Sequence, residues 1–191
     1  MSRARNYILT LAAVVLAGTA LAGNNKVANV ANQPPTGIVS KTLAPHADNE
    51  KKASSLSLLG LDGVMHSLED WKGKVVVLNF WATWCSPCLS EIRDFVAYQE
   101  QYKTQGLQII GVGLDEEKKL RNVQRTLEIN YPVLVADPAK NSSLMKTWGN
   151  SSGVVPYTVV IDREGRVVLT LHGPMDHDTF GEIILPLLDK V

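Results

Sequence analysis

The run Val75-Val76-Val77-Leu78 contains no polar residue, and seven positions after Leu78 comes Cys85-Ser86-Pro87-Cys88. A short continuous apolar run suits a strand buried on both faces, since both rows of its alternating side chains must leave water. Beyond the second cysteine, Leu89, Ile92, Phe95, Val96 and Tyr102 recur at helical spacing, and Gly106 stands where a C-terminal cap belongs. A strand covered on both faces and followed at once by a helix confines the chain to layered α/β architectures.

The remaining periodic signals fill out that layering. Leu56 to Leu59, the turn Leu61-Asp62-Gly63 and Val64 to Leu68 read as a small hairpin. Leu107 to Leu114 reads as a second buried strand, and Asp115 as the N-cap of a helix carrying Leu120, Val123 and Leu127 on one face. Lys118, Lys119, Arg121 and Arg125 on that helix read as a solvated face. Pro132 to Ala136 is a short strand and Ser142 to Trp148 a short helix. Strands from Tyr157 to Ile161 and Arg166 to His172 join through Asp162-Arg163-Glu164-Gly165. A C-terminal helix uses Phe180, Ile183, Ile184, Leu187 and Leu188, and Pro186 is expected to bend or shorten it. The predicted fold is α/β, a mixed central sheet flanked by helices with an added N-terminal β-hairpin, over residues 55–191.

The cysteines bring chemistry to this frame. Two intervening residues place both thiols on the first helical turn, close enough to join in a small-ring disulfide. The unpaired amides and positive dipole end of a helix N-terminus favour a thiolate, lowering a cysteine pKa below its usual ~8.5. Pro87 suits that first turn, where its missing N–H is not needed. Cys85, at the tip, is expected to be the exposed attacking thiol. Cys88, one turn inward, is expected to be the resolving thiol that breaks the mixed disulfide. Since the chain has only these two cysteines, a disulfide-dense scaffold and a four-cysteine zinc module are excluded.

The N-terminus indicates where this chemistry operates. Arg3 and Arg5 precede an uncharged, mostly apolar stretch from Tyr7 to Ala22, ending in Ala20-Leu21-Ala22. This is a secretory signal pattern with cleavage expected after Ala22. The alternative is an uncleaved membrane anchor. Sixteen helical residues reach only ~24 Å of a ~30 Å hydrocarbon core, so the anchor would borrow neutral neighbours to span residues 6–25. Residues 23–54 read as a flexible linker. Removing Arg3 and Arg5 from the 19 basic residues leaves 17 against 19 acids, so no cationic surplus points to nucleic acid.

Residues 56–191 resemble the TlpA/ResA-like group of exported thiol–disulfide oxidoreductases, which have the thioredoxin fold. The segments carrying the resemblance are Gly73-Lys74-Val75-Val76-Val77-Leu78-Asn79-Phe80-Trp81-Ala82-Thr83-Trp84-Cys85-Ser86-Pro87-Cys88 and Gly153-Val154-Val155-Pro156-Tyr157-Thr158-Val159-Val160-Ile161-Asp162. It implies a cis Pro156 beside the cysteines and a Val155 backbone that pairs with an extended client segment. Asn79 stands where cytoplasmic thioredoxins carry a buried aspartate. Glu91, three residues after the second cysteine, matches a glutamate common in this group. The resemblance makes Glu91 the proton acceptor for Cys88; the competing reading is an acid favoured by the helix dipole alone. Trp84 is expected to form an apolar docking rim, whereas Trp81 belongs to the core.

The resemblance implies reduction of client disulfides, with apocytochromes c as one example, and electrons supplied by a membrane thiol transporter. Ser86-Pro87 between the cysteines differs from the Pro-His of strong oxidants and points the same way. The expected redox group is the Cys85–Cys88 disulfide itself, with no other cofactor and no metal. Two alternatives stand beside this. One is a copper-binding module using both thiolates; the other is peroxide reduction, for which Thr83 lies one position away from where a peroxidase threonine is needed.

Overall fold

The computed structural model describes residues 40–43, 53, 55–137 and 143–189. The strands are β1 (Ser40–Leu43), β2 (Ser57–Leu59), β3 (Met65–Ser67), β4 (Val75–Trp81), β5 (Leu107–Gly113), β6 (Val133–Val135), β7 (Tyr157–Ile161) and β8 (Val167–His172). The α-helices are α1 (Ser86–Tyr102), α2 (Glu117–Thr126), α3 (Leu144–Thr147) and α4 (His177–Leu188). Six strands form one sheet in the order β1-β8-β7-β4-β5-β6, and β2 and β3 form a separate hairpin. β4, β5 and β6 run parallel, while β7, β8 and β1 are antiparallel to their neighbours, so the sheet is mixed as expected.

All seven residues of β4 and of β5 are buried, as the continuous apolar run requires. Alternation divides them between two layers. Val75, Val77 and Trp81 pack with Ile92 and Phe95 of α1, Leu120 of α2, and Phe180 and Ile184 of α4. Val76, Leu78 and Phe80 pack on the other side with Trp71, Met145, Trp148, Tyr157 and Val159. Asn79 faces the first of these layers, the only break in a strand that is otherwise apolar through its length.

The hairpin forms where expected and docks on the β6 border: Gly60 bridges Leu134, and the Leu61 amide donates to the Val133 carbonyl at 2.8 Å. The end of β4 away from the cysteines is tied together by Arg163. Its guanidinium donates to the carbonyls of Gly73 (3.1 Å), Gln105 (2.9 Å) and Leu188 (3.2 Å). Gly106, at φ +94, caps the end of the α1 segment, and a Cβ there would sit 2.5 Å from that guanidinium. The positive φ demands glycine, and a side chain there would also have to displace the guanidinium from its carbonyls.

Three expectations need correction. The segment 23–54 was expected to be linker throughout, yet Ser40–Leu43 forms β1 and pairs with β8. An edge strand is held by backbone hydrogen bonds to its neighbour, which leave no apolar period to read. Asp115 is not the N-cap of α2; Glu116 holds that position, because the Asp115 carboxylate is turned to other donors described below. α4 continues through Pro186 to Leu188, so the proline does not shorten it; it falls in the last turn, where it removes one amide donor. The expected export segment, residues 1–22, and most of 23–54 lie outside the described residues. Among the described residues no helix is long and apolar enough to cross a membrane.

Candidate active site

The parallel strand β4 ends at Trp81, and the chain turns through Ala82-Thr83-Trp84 into α1. Cys85 is the N-cap of that helix, with extended backbone, and its sulfur accepts the Cys88 amide at 3.3 Å. Cys85 and Cys88 are joined by a disulfide, with Sγ–Sγ 2.04 Å and Cα–Cα 5.3 Å. The Cys85 sulfur therefore sits at the positive end of a helix of 17 residues, where a thiolate is favoured. Its expected exposure is corrected: Cys85 is 4% exposed and Cys88 0%. Capping the helix turns the sulfur toward the Cys88 amide instead of outward, although Cys85 remains the more accessible of the two. Ser86 and Pro87, between them, are exposed.

Phe80 pairs with Tyr157 across β4 and β7, so the cysteine loop and the segment entering β7 leave the sheet at the same end. The Val155–Pro156 peptide is cis. Pro156 is buried, Val155 half-buried, and the Pro156 carbonyl accepts the Gly173 amide at 2.9 Å. The loop before it is organised by Asn150, which is fully buried. Asn150 Nδ2 donates to the Val154 carbonyl (2.7 Å), and its Oδ1 accepts from the Gly153 amide (2.9 Å) and the Ser152 hydroxyl (2.7 Å). Sequence reading missed Asn150, since a polar residue in a loop gives no sign of being buried. Trp84 and Val154 are 73% and 59% exposed, giving this end of the sheet two large apolar side chains in water. Trp81 is fully buried.

Beneath the helix lies Glu91, one turn beyond Cys88 and 2% exposed. Asn79 Nδ2 donates to Glu91 Oε1 at 2.6 Å and to Thr158 Oγ1 at 3.0 Å, and the Met175 amide donates to Glu91 Oε2 at 3.0 Å. Burial raises the Glu91 pKa to about 7, against the lowering effect of those two donors; Asp94 adds a further small upward push. Such an acid is divided between its two protonation states near neutral pH. The Glu91 and Asn79 positions both stand out in the sequence, but their contact does not, and Thr158 and the Met175 amide come from two further segments that carry no local signal.

A second acid flanks the cysteine loop. Thr83 Oγ1 donates to Asp115 Oδ2, and Asp115 Oδ1 accepts from the Glu116 amide (2.8 Å) and Lys119 Nζ (3.3 Å). Thr83 thus gives its hydroxyl to Asp115, and the same proton is not free to hold a peroxide.

Known proteins place this arrangement. Residues 50–170 match the AhpC/TSA family. A thiol-disulfide oxidoreductase ResA of Bacillus thuringiensis subsp. konkukian is 30% identical over 135 residues, covering 70% of this chain and 75% of that one. The chain belongs to the AhpC/TSA family. Within the family it is similar to the thiol:disulfide interchange protein HelX of Rhodobacter capsulatus, at 30% identity over 183 residues and 95% of each chain. Among solved structures, a thiol:disulfide interchange protein of Chlorobium tepidum TLS superposes with a TM-score of 0.65 at 31% identity, covering 74% of this chain and 99% of that one. The fold is thioredoxin-like, and the ResA-type resemblance read from the two motifs holds over most of the globular part.

Proposed function

We propose that this family member is an extracytoplasmic thiol–disulfide oxidoreductase that reduces client-protein disulfides by cycling Cys85 and Cys88 between dithiol and disulfide. The observation carrying this reading is the bonded pair at the N-terminus of α1, with a buried acid one turn further along the helix.

In the reduced protein, the Cys85 thiolate attacks one sulfur of a client disulfide. A Cys85–client disulfide forms and the other client sulfur leaves as a thiolate. Cys88 then gives its proton to the Glu91 carboxylate and attacks Cys85 Sγ. The intramolecular disulfide closes, the second client sulfur leaves as a thiolate, and each departing thiolate takes up a proton. Two electrons pass from the protein dithiol to the client. A membrane dithiol transporter is the donor that restores the reduced pair, and no other cofactor is required.

Trp84 and Val154 form the apolar rim on which the client rests. The backbone of Val155, beside Pro156, pairs with an extended client segment as an added strand. The similarity to ResA and HelX supports apocytochromes c as clients. The leader at residues 1–22 exports the chain, or residues 6–25 retain it at the membrane with the domain outside.

Substitution Cys88→Ala tests the role assignment. Without a resolving thiol, mixed disulfides through Cys85 accumulate in cells and appear as higher-mass bands that dithiothreitol dissolves. A Cys85→Ala, Cys88→Ala double variant gives none. Absence of trapped species in the single variant overturns the assignment. Equilibration with glutathione buffers tests the direction: a potential near −270 mV is expected of a reductant, and one near −120 mV marks an oxidant.

A further inference from the structure

The Asn79 side chain has more to do than fill a gap in β4. Its Nδ2 donates twice, to Glu91 Oε1 and Thr158 Oγ1, while its Oδ1 is buried with no hydrogen-bond partner. That arrangement suits an ionised Glu91, which accepts only. Once Glu91 takes a proton it has an O–H to place, and an Nδ2 facing it offers no acceptor. Buried polar groups of this kind are paired in native structures, so the neutral acid needs a different neighbour from the ionised one.

We propose that Asn79 is the positioning residue for both forms of Glu91, its side-chain amide turning over as the proton arrives. Turning the amide about its Cβ–Cγ axis exchanges Oδ1 and Nδ2 with little change of shape. Oδ1 then lies where Nδ2 was, accepting from the Glu91 acid O–H and from the Thr158 hydroxyl. Thr158 follows without moving, because its hydroxyl accepts in one state and donates in the other. One amide atom lacks a partner in either setting, so that cost is common to both states and biases neither.

The Met175 amide holds Glu91 Oε2 throughout, leaving Oε1 as the oxygen that takes the proton. The other groups that bear on Glu91 are few. Asp94 on α1 is solvent-exposed, the Tyr131 hydroxyl group approaches from the segment before β6, and the cysteine pair lies one turn back on α1. No lysine or arginine acts on it among the described residues that determine its charge. The neutral amide of Asn79 therefore does the work a cation would do elsewhere, without holding Glu91 permanently ionised. Such an acid can receive the Cys88 proton and later release it.

This inference rests on the reading of Glu91 as proton acceptor, and the test separates the two. In the full-length disulfide form, labelled with ¹³C and ¹⁵N, the Asn79 side-chain amide and the Glu91 carboxyl carbon are expected to titrate together between pH 5 and 9. Contacts from the Asn79 amide protons to Thr158 should be present above the midpoint and lost below it. Asn79→Leu keeps the branched outline with somewhat more bulk and removes both hydrogen-bonding ends. It is expected to raise the Glu91 midpoint by about one pH unit and to slow release of client from the mixed disulfide about tenfold at pH 6. Initial attack by Cys85 should be unchanged. Thr158→Val, a milder variant, shifts the midpoint the same way by less.

An Asn79 amide that stays constant while Glu91 titrates overturns the proposal. So does a Glu91 midpoint unmoved in both variants, including the case where they only lower the melting temperature. A normal exchange rate in Glu91→Gln removes Glu91 from the reaction instead. The titration in the disulfide form needs no turnover and still decides whether the amide reorients.

Discussion

Two nearly buried carboxylates flank the cysteine loop, and they titrate in opposite directions. Glu91, beneath α1, has its pKa pushed up to about 7. For Asp115, at the junction of β5 and α2, burial also pushes upward, but the Thr83 hydroxyl, the Glu116 amide and the Lys119 ammonium together outweigh it and hold the acid below its usual range. Burial alone does not decide what an acid does. Glu91 is enclosed more deeply and has only two neutral amide donors to offset its desolvation, whereas Asp115 has three donors, one of them a cation. One acid is therefore a fixed anion that holds Thr83 and the cysteine loop in place. The other is able to carry a proton.

The largest effect that would break this contrast is on stability. The folded protein binds the Glu91 proton more tightly than the unfolded chain, so its contribution is complete below the unfolded value of 4.5 and is lost as pH rises through about 7. That difference amounts to roughly 3 kcal/mol by pH 8.5. Urea unfolding of the disulfide form is expected to show a loss of this order between pH 4.5 and 8.5 that Glu91→Gln removes. An equal pH slope in both proteins would mean that Glu91 is already ionised at low pH.

Next in size is catalysis. Glu91→Gln should slow release of client from the mixed disulfide about tenfold, roughly 1.4 kcal/mol, and flatten its pH profile around neutrality. Stopped-flow measurement of client thiol release checks this. Thr83→Val tests the opposite acid. It should cost about 1 kcal/mol near neutral pH. Asp115 stabilises the fold above its unfolded pKa, and that stability is lost as pH falls through the lowered folded value. With the Thr83 bond gone, the folded pKa rises and acid unfolding starts at higher pH. Smallest of all is Lys119→Ala: its half-exposed ammonium is shared between Glu116 at 2.7 Å and Asp115 at 3.3 Å, Asp115 keeps its other two donors, and thermal unfolding should scarcely register the loss.

The difference between the two acids also marks the limits of sequence reading. The run Val75-Val76-Val77-Leu78, the cysteine spacing and the helical period after it were legible because each is a local pattern with one physical cause. Glu91 was legible as a position, through its distance from Cys88 and the resemblance that distance carries. Its environment was not, because Asn79, Thr158 and Met175 meet it only once β4, β7 and the segment before α4 have packed. Asp115 misled for a related reason: an aspartate before a helix is a fair N-cap signal, but Thr83, 32 positions earlier, claims part of its carboxylate. β1 was hidden because backbone pairing to β8 leaves no trace in side-chain order.

Arg163 has a bearing on how such a protein withstands its own work. Three chain segments converge on one guanidinium, some seven residues of β4 away from the sulfur atoms. Repeated opening and closing of the bond, and the tug of each visiting polypeptide, fall on the pole that lacks this knot. The length of the central strand separates the loops at the cysteine end from that clasp, so loosening at one pole leaves the other as a template on which to reassemble.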